Sequence, residues 1–264
     1  MKTKIMFLLI VCTLSACKKN TQILIPSIPN VEQPQTAPRP MTGVKTKNIN
    51  GHSIITAIGY SSLAKVNEET TMDQTTGSEM NQLFRYKDGA VYRSDIFQDD
   101  RRTNRIDYLF TGQRLETMRY LEIDNKLNAE ITFELHFTYK NQILEKISTK
   151  NPQGIETGYT IFTFQDGNVS QTKTYSSMGE LISSTSFTYD KKTNPYLRHP
   201  GYLHAITAYN KNNITSTRLN DPIRGKIQTN YYTYDYNKSG QPVNMYTSTE
   251  NQSPNLTSTF SYQT

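Results

Sequence analysis

Cysteine is almost absent from this chain of 264 residues. The two cysteines, Cys12 and Cys17, both lie within the first seventeen residues. If residues 1–16 are removed on export, no pair remains to form an internal disulfide, although an exported compartment would permit one. Beyond Cys17 there is also no thiol for a cysteine nucleophile or a redox centre.

Clustered charge is lacking as well. The formal net charge of +6 is spread thinly, and no run of five or six like charges occurs. The densest group, residues 99–102 (DDRR), cancels itself. Nucleic-acid binding requires a clustered basic surface, so nucleic acid is not expected as a partner.

Known catalytic motifs are missing too. None of the four histidines lies in an H-E-x-x-H spacing, and there is no G-x-S-x-G turn or glycine-rich phosphate loop. We therefore expect no metal and no cofactor. The chain is more simply read as a non-enzyme, but His199 and His204, with Asp190 upstream, form one group that an unrecognised hydrolase of envelope polymers or glycans could use.

What the chain does have begins with an export signal. Lys2 and Lys4 precede ten apolar residues at positions 5–14. This run is too short for a permanent membrane helix, which needs about 20 residues, and is typical of a signal peptide.

Residues 14–17 (LSAC) follow this run and resemble the lipobox of bacterial lipoproteins. The resemblance implies that residues 1–16 are a lipoprotein signal peptide and that Cys17 is lipidated, which would anchor the protein to a membrane. Lys18 and Lys19 follow without an aspartate, which by the same resemblance implies the outer membrane. The alternative is a buried N-terminal strand or helix with an incidental cysteine.

Residues 17–50 are predicted to form the lipidated cysteine and a tether. Five of the eleven prolines fall there, and proline favours extended geometry at about 3.1 Å per residue. They are Pro26, Pro29, Pro34, Pro38 and Pro40. An edge strand within residues 23–31 is the competing interpretation, which the prolines oppose.

Residues 51–264 are predicted to form one repetitive domain. An aromatic-x-aromatic pattern recurs at intervals of 20 to 29 residues. The second aromatic positions of the series are Tyr86, Phe110, Tyr139, Phe164, Tyr189, Tyr209, Tyr234 and Tyr262.

Each repeat is predicted to be a β-hairpin. Leu135, Phe137 and Tyr139 alternate with polar residues, as on a half-buried strand, and Asp166-Gly167 is typical of a tight turn. The fold class is therefore all-β. We expect an up-and-down antiparallel meander of about 14–16 strands, curled into a barrel or an open single-layer shell, whose last strand could close against an early one.

The recurring "FTYD…G" unit resembles the YD repeats of Rhs-type shell proteins. With the lipobox, the layout is similar to a family of Gram-negative envelope lipoproteins of unknown function that have porin-like β-meanders. Residues 189–196 (YDKKTNPY) match a recurrent turn of that family. The resemblance covers residues 80–264 and implies no activity.

One connection in the series is predicted to be a longer, rigid loop, because the repeat interval shrinks to 20 residues and Asn-Pro fixes a turn there. A specialised site is most reasonably sought in it. Its candidate residues are Asp190, Asn194, Pro195, Tyr196, His199 and His204.

Three functions are compatible with the sequence. The first is an envelope-anchored, non-enzymatic binding or scaffolding module with an envelope protein or a glycan as partner. The second is the hydrolase, and the third is an integral outer-membrane β-barrel, which would require a lipid-facing apolar band on the strands.

Overall fold

Sixteen antiparallel strands form a single closed barrel. The computed structural model describes residues 40–47, 53–60, 65–197 and 199–262. Each strand pairs with its neighbours in sequence, and β1 pairs with β16. The strands are β1 Met41–Lys47, β2 Ser53–Tyr60, β3 Val66–Asp73, β4 Glu79–Lys87, β5 Ala90–Gln98, β6 Arg101–Thr111, β7 Arg114–Ile123, β8 Ala129–Lys140, β9 Ile143–Lys150, β10 Glu156–Gln165, β11 Asn168–Ser176, β12 Leu181–Thr193, β13 Asn212–Asp221, β14 Lys226–Tyr236, β15 Pro242–Thr249 and β16 Asn255–Tyr262.

This architecture confirms the all-β meander predicted from the repeats and selects the closed barrel over the open shell. Closure depends on β1, in which Val44 faces Phe260 of β16 on one side and Thr56 of β2 on the other. The barrel therefore begins at Met41, ten residues before the boundary placed at residue 51. The lipobox and most of the tether, including Cys17, lie outside the described residues.

The two ends of the barrel carry different connections. At one end, here called the plug end, even-numbered strands lead into odd-numbered ones. Most connections there are tight turns such as Asp88-Gly89 and Asp166-Gly167, with positive φ at all four positions. At the other end, the far end, odd-numbered strands lead into even-numbered ones through loops of two to five residues.

A tyrosine closes the plug end of most hairpins. The tyrosine lies near the end of an even-numbered strand. Its hydroxyl donates to a backbone carbonyl oxygen near the start of the preceding strand, at an O–O distance of 2.5–2.9 Å. The pairs are Tyr60 with Met41, Tyr86 with Val66, Tyr139 with Leu115, Tyr189 with Val169, Tyr234 with Ile214 and Tyr262 with Pro242. The repeat aromatics are thus placed at equivalent strand ends.

Two members of the series differ from this pattern. Phe110 and Phe164 occupy the same place on β6 and β10 but have no hydroxyl. Tyr209 is not on a strand at all, since it lies in the short 3₁₀ helix Ile206–Tyr209, and its spacing matched the series by coincidence. Tyr60 on β2 is a further member that the sequence series missed.

The interior is a packed core, and the outer face is mostly polar but carries exposed Leu109, Ile161 and Tyr231. Side chains alternate along each strand, so Phe84 and Ser94 face inward while Arg85 and Arg93 face outward. On the outer face Asp95 accepts from Arg85 at 2.8 Å and pairs with Arg102 at 3.1 Å. Among the described residues, no helix is long and apolar enough to cross a membrane.

Candidate functional site

One connection at the plug end folds into the barrel instead of making a tight turn. β12 ends at Thr193 and β13 begins at Asn212, and we call residues 194–211 between them the plug. The plug contains the two 3₁₀ helices, Pro200–Tyr202 and Ile206–Tyr209. Leu203, Ala208 and Tyr209 are at most 2% exposed, so the plug is part of the core.

The plug touches strands on opposite sides of the barrel. Its Tyr209 ring lies 5.8 Å from that of Phe162 on β10, and its Tyr196 ring lies 6.0 Å from that of Phe260 on β16. Elsewhere it contacts β3, β4 and β7. The plug therefore obstructs the lumen at this end.

Asparagine side chains fix the plug to itself and to the wall. The Asn194 amide donates to the carbonyls of Thr207 at 2.6 Å and Asn210 at 3.0 Å. Asn210 is fully buried, and its Oδ1 accepts from the Val169 amide at 2.8 Å and from the Tyr189 hydroxyl at 3.1 Å. Where the plug leaves the core, these side-chain hydrogen bonds take the place of backbone hydrogen bonds between neighbouring strands.

The wall separates beside this point. Toward the plug end, pairing of β11 with β12 stops at Gln171 and Ser186. The plug exit bridges the start of β11: Asn212 and Asn168 exchange hydrogen bonds of 2.9 and 3.1 Å, and the Lys211 amide donates to Gly167 at 3.3 Å. The result is a gap in the wall that the plug lines.

This gap holds a cleft of about 570 Å³. Its lining combines two aromatic rings with amides, a hydroxyl and charges of both signs. The lining residues are Gln165, Asp166, Asn168, Ser170, Phe187, Tyr189, Asp190, Lys191, Lys211 and Asn212.

The charged groups of the cleft are not equally available to a ligand. The Asp190 carboxylate accepts from the Asn213 side chain at 3.1 Å and from the Tyr236 hydroxyl. Burial, followed by the hydrogen bond and the negative charge of Asp190, raises the pKa of the Tyr236 hydroxyl well above its ordinary value. The hydroxyl therefore keeps its proton and donates a hydrogen bond to the Asp190 carboxylate. Within the described chain, Lys191 and Lys211 form no ion pair and are left to face the cleft.

The residues predicted for a specialised site fall into two groups. Asp190 lines the cleft, whereas Asn194, Pro195, Tyr196, His199 and His204 belong to the plug.

The three residues of the hydrolase hypothesis are not assembled in one place. His199 is 4% exposed, and its Nδ1 would lie 3.4 Å from a Cβ at Gly201. The His204 ring instead packs edge-on against Tyr120, with the ring centroids 6.4 Å apart. Asp190 contacts β13 and β14 instead. In the part of the chain that the structure describes, no three His, Cys, Asp or Glu side chains are placed to hold a metal ion.

The remaining histidines have no place in this site. His136 lies on β8, where its Nε2 is 2.9 Å from Glu134. Burial alone would raise the pKa of Glu134, but hydrogen bonds from Arg119 and His136 lower it. His52 is outside the described residues.

Sequence reasoning missed the far side of the cleft. Lys211 and Asn212 were not predicted, and Asn168 was interpreted only as part of the turn that follows Asp166-Gly167, because these residues come from two segments that only the plug brings together. The signals that could have found them are the shortened repeat interval and the run YNKNN at residues 209–213, which is rich in side chains that bond to backbone.

Comparisons with known proteins support the fold. No protein-family profile matches the chain, and no curated protein matches it. A porin-like protein from Bacteroides uniformis superposes with a TM-score of 0.57, at 14% identity, over 86% of this chain and 100% of its own. Another porin-like protein, from Bacteroides vulgatus, covers 86% of this chain and 99% of its own with a TM-score of 0.42 and 10% identity. The first likeness shows a porin-like barrel fold, as the sequence resemblance implied.

Proposed function

We propose that the chain is a non-enzymatic binding module of the cell envelope, anchored through Cys17, and that the cleft between β11 and β12 is its ligand site. The observation that carries the proposal is the gap in the barrel wall, which joins an aromatic floor to polar groups from three segments. Ligand sites are typically concave and combine apolar surface with a few placed polar groups.

The ligand class that fits this lining is a glycan. Sugar rings have apolar C–H faces that stack on aromatic rings such as those of Phe187 and Tyr189, and they carry hydroxyls around their edges. The side chains of exposed Gln165 and Asp166 can accept hydrogen bonds from such hydroxyls, and the ammonium groups of Lys191 and Lys211 can donate to them. The obstructed plug end supports a binding role over a conduit.

A glycan array probed with the purified full chain tests the proposal. We expect retention of at least one envelope glycan at micromolar concentration. The Phe187→Ala variant should lose that retention, whereas Phe97→Ala, which removes a half-buried aromatic ring from β5, should keep it. Absence of any ligand on the array, together with no partner in a pull-down, would contradict the proposal.

An integral outer-membrane barrel is a second candidate, favoured by the closed sixteen-stranded meander. A spanning barrel carries an apolar band on its outer face. Here Arg85, Asp95 and Arg102 form ion pairs on that face, and charged groups there are costly in hydrocarbon.

Membrane extraction separates the two candidates. If the chain is held only by its lipid anchor, the Cys17→Ser variant should no longer be retained by membranes. Alkaline carbonate should then release it into the supernatant, as it releases exported proteins that have no anchor. A variant that remains as firmly bound as the unmodified chain would favour the integral barrel.

A further inference from the structure

Four far-end loops each expose one large aliphatic residue. Leu127, Ile155, Met178 and Ile223 are 63–83% exposed, more than any other large hydrophobic residue in the described ranges. They lie on the hairpins β7–β8, β9–β10, β11–β12 and β13–β14, which are consecutive around the barrel.

Among the far-end loops that the structure describes, the pattern is confined to one arc. The described loops on the rest of that end, residues 74–78, 99–100 and 250–254, contain no large aliphatic residue. Single exposed hydrophobic residues are ordinary on protein surfaces. Four in the loops of adjacent hairpins, and none in the other loops that the structure describes, form an apolar edge on this arc.

The spacing of the tips favours a flat, fluid partner. Strands in a sheet lie about 4.8 Å apart, so neighbouring hairpin tips are separated by roughly 10 Å. A protein partner would need a separate pocket for each tip. A lipid bilayer needs none, because each side chain can insert among acyl chains on its own.

Charge beside the tips fits lipid headgroups. Exposed Lys126 directly precedes Leu127, and Arg224 directly follows Ile223. The Arg224 guanidinium lies 3.7 Å from the Asp221 carboxylate, but its side chain is 71% exposed and so remains accessible to a phosphate. The Asp124 carboxylate is turned into its own loop, where it accepts from the Lys126 and Asn128 amides at 2.7 and 2.8 Å. Long cationic side chains can reach phosphate groups while neighbouring apolar residues insert.

From these observations we infer that the arc formed by Leu127, Ile155, Met178 and Ile223 inserts into the headgroup region of a phospholipid bilayer. The contact orients the barrel with its far end on the membrane. This inference does not depend on a ligand in the cleft.

The chain contains no tryptophan, which gives the test a clean reporter. The full chain with Met178→Trp is reconstituted into vesicles of equimolar phosphatidylcholine and phosphatidylglycerol. A parallel series of vesicles contains phospholipids with bromine on the upper part of the acyl chains, which quenches tryptophan fluorescence at that depth. The matched control is Ile143→Trp, since Ile143 is 51% exposed at the opposite, plug end. Tryptophan fluorescence reports the surroundings of the substituted residue alone. A lipid anchor at the N-terminus of the same chain therefore does not by itself produce the expected signal.

Blue-shifted emission and bromine quenching at position 178, with neither at position 143, is the expected result, because interfacial groups insert about 5–10 Å. Water-like emission at both positions would overturn the inference. So would quenching at both, which indicates an immersed barrel, or a concentration-dependent shift without lipid, which indicates a second copy. If circular dichroism shows that Met178→Trp is misfolded, Ile223→Trp takes its place.

Discussion

At the residue scale, asparagine amides take over where strand pairing stops. The Asn194 side chain donates to a carbonyl within the plug, Asn210 accepts from the Val169 amide, and Asn168 accepts from the Asn212 amide. A buried polar group is costly when it has no partner. Each amide is therefore a structural requirement of the cleft and not a free ligand contact.

Asn210→Ala should destabilise the fold by about 2 kcal/mol, because it leaves the buried Val169 amide without its acceptor. Urea unfolding measures the change. Asn251→Ala, in an exposed far-end loop, should alter the free energy of unfolding by less than about 0.5 kcal/mol. Equal effects of the two changes would contradict this role of Asn210.

The tyrosine hydroxyls at the plug end predict alkaline instability. Burial raises the pKa of Tyr60 from 10.0 to about 12, so folding favours its protonated form. The contribution of Tyr60 to stability is present below pH 10 and is lost as the pH rises from 10 through about 12. Unfolding free energies measured across that range should fall less steeply for Tyr60→Phe than for the unmodified chain. An unchanged slope in Tyr60→Phe would contradict the assignment.

At the scale of elements, the plug converts one hairpin turn into part of the core. Its seating requires a glycine at position 201, where an added Cβ would lie 2.5 Å from a Glu69 carboxylate oxygen and 3.1 Å from the Phe84 ring. The close approach holds the first 3₁₀ helix against β3 and β4. Loosening it should affect the plug before the barrel wall.

Gly201→Ala should cost about 1–3 kcal/mol through overpacking and should speed hydrogen exchange in residues 194–211. Gly77→Ala is the control, because its added Cβ meets no atom within 4 Å, although the positive φ there costs about 1 kcal/mol. Gly77→Ala should not change the rate of hydrogen exchange in residues 194–211. Faster plug exchange in both variants, or in neither, would be inconsistent with this packing.

The hairpins were predictable from sequence because alternation and Asp-Gly turns are local signals. Residues such as Phe137 and Tyr139 show their inward face by spacing alone. The fold of the plug was not predictable, since Leu203 follows no periodic pattern and Tyr209 matches the repeat interval without lying on a strand. Both are placed in the core by contacts with distant strands. The same distance in sequence hid Lys211 and Asn212 from the candidate site.

At the scale of the whole molecule, one short strand decides between a barrel and an open sheet. Met41–Lys47 pairs with both β2 and β16 and removes two sheet edges. Sequence placed it in the tether because prolines precede it and because seven residues carry little pattern. Closure is a property of both chain ends together, which local signals do not report.

Deleting residues 41–47 should therefore expose the edges of β2 and β16 and cause association or loss of folding. Size-exclusion chromatography with light scattering measures the outcome. Deleting seven residues from within residues 18–39 should leave the fold and the molar mass in solution as they are in the matching full chain, apart from the deleted residues. A monomeric, folded barrel without β1 would show that closure is not required.

The central claim is that the cleft beside the plug binds the ligand of this barrel. Hydrogen–deuterium exchange of the full chain, with and without the glycan selected on the array, tests it most directly. The account predicts slower exchange in residues 165–170, 187–191 and 210–212, with little change elsewhere. Protection confined to the far-end loops or to the outer face, with none around the cleft, would contradict the account.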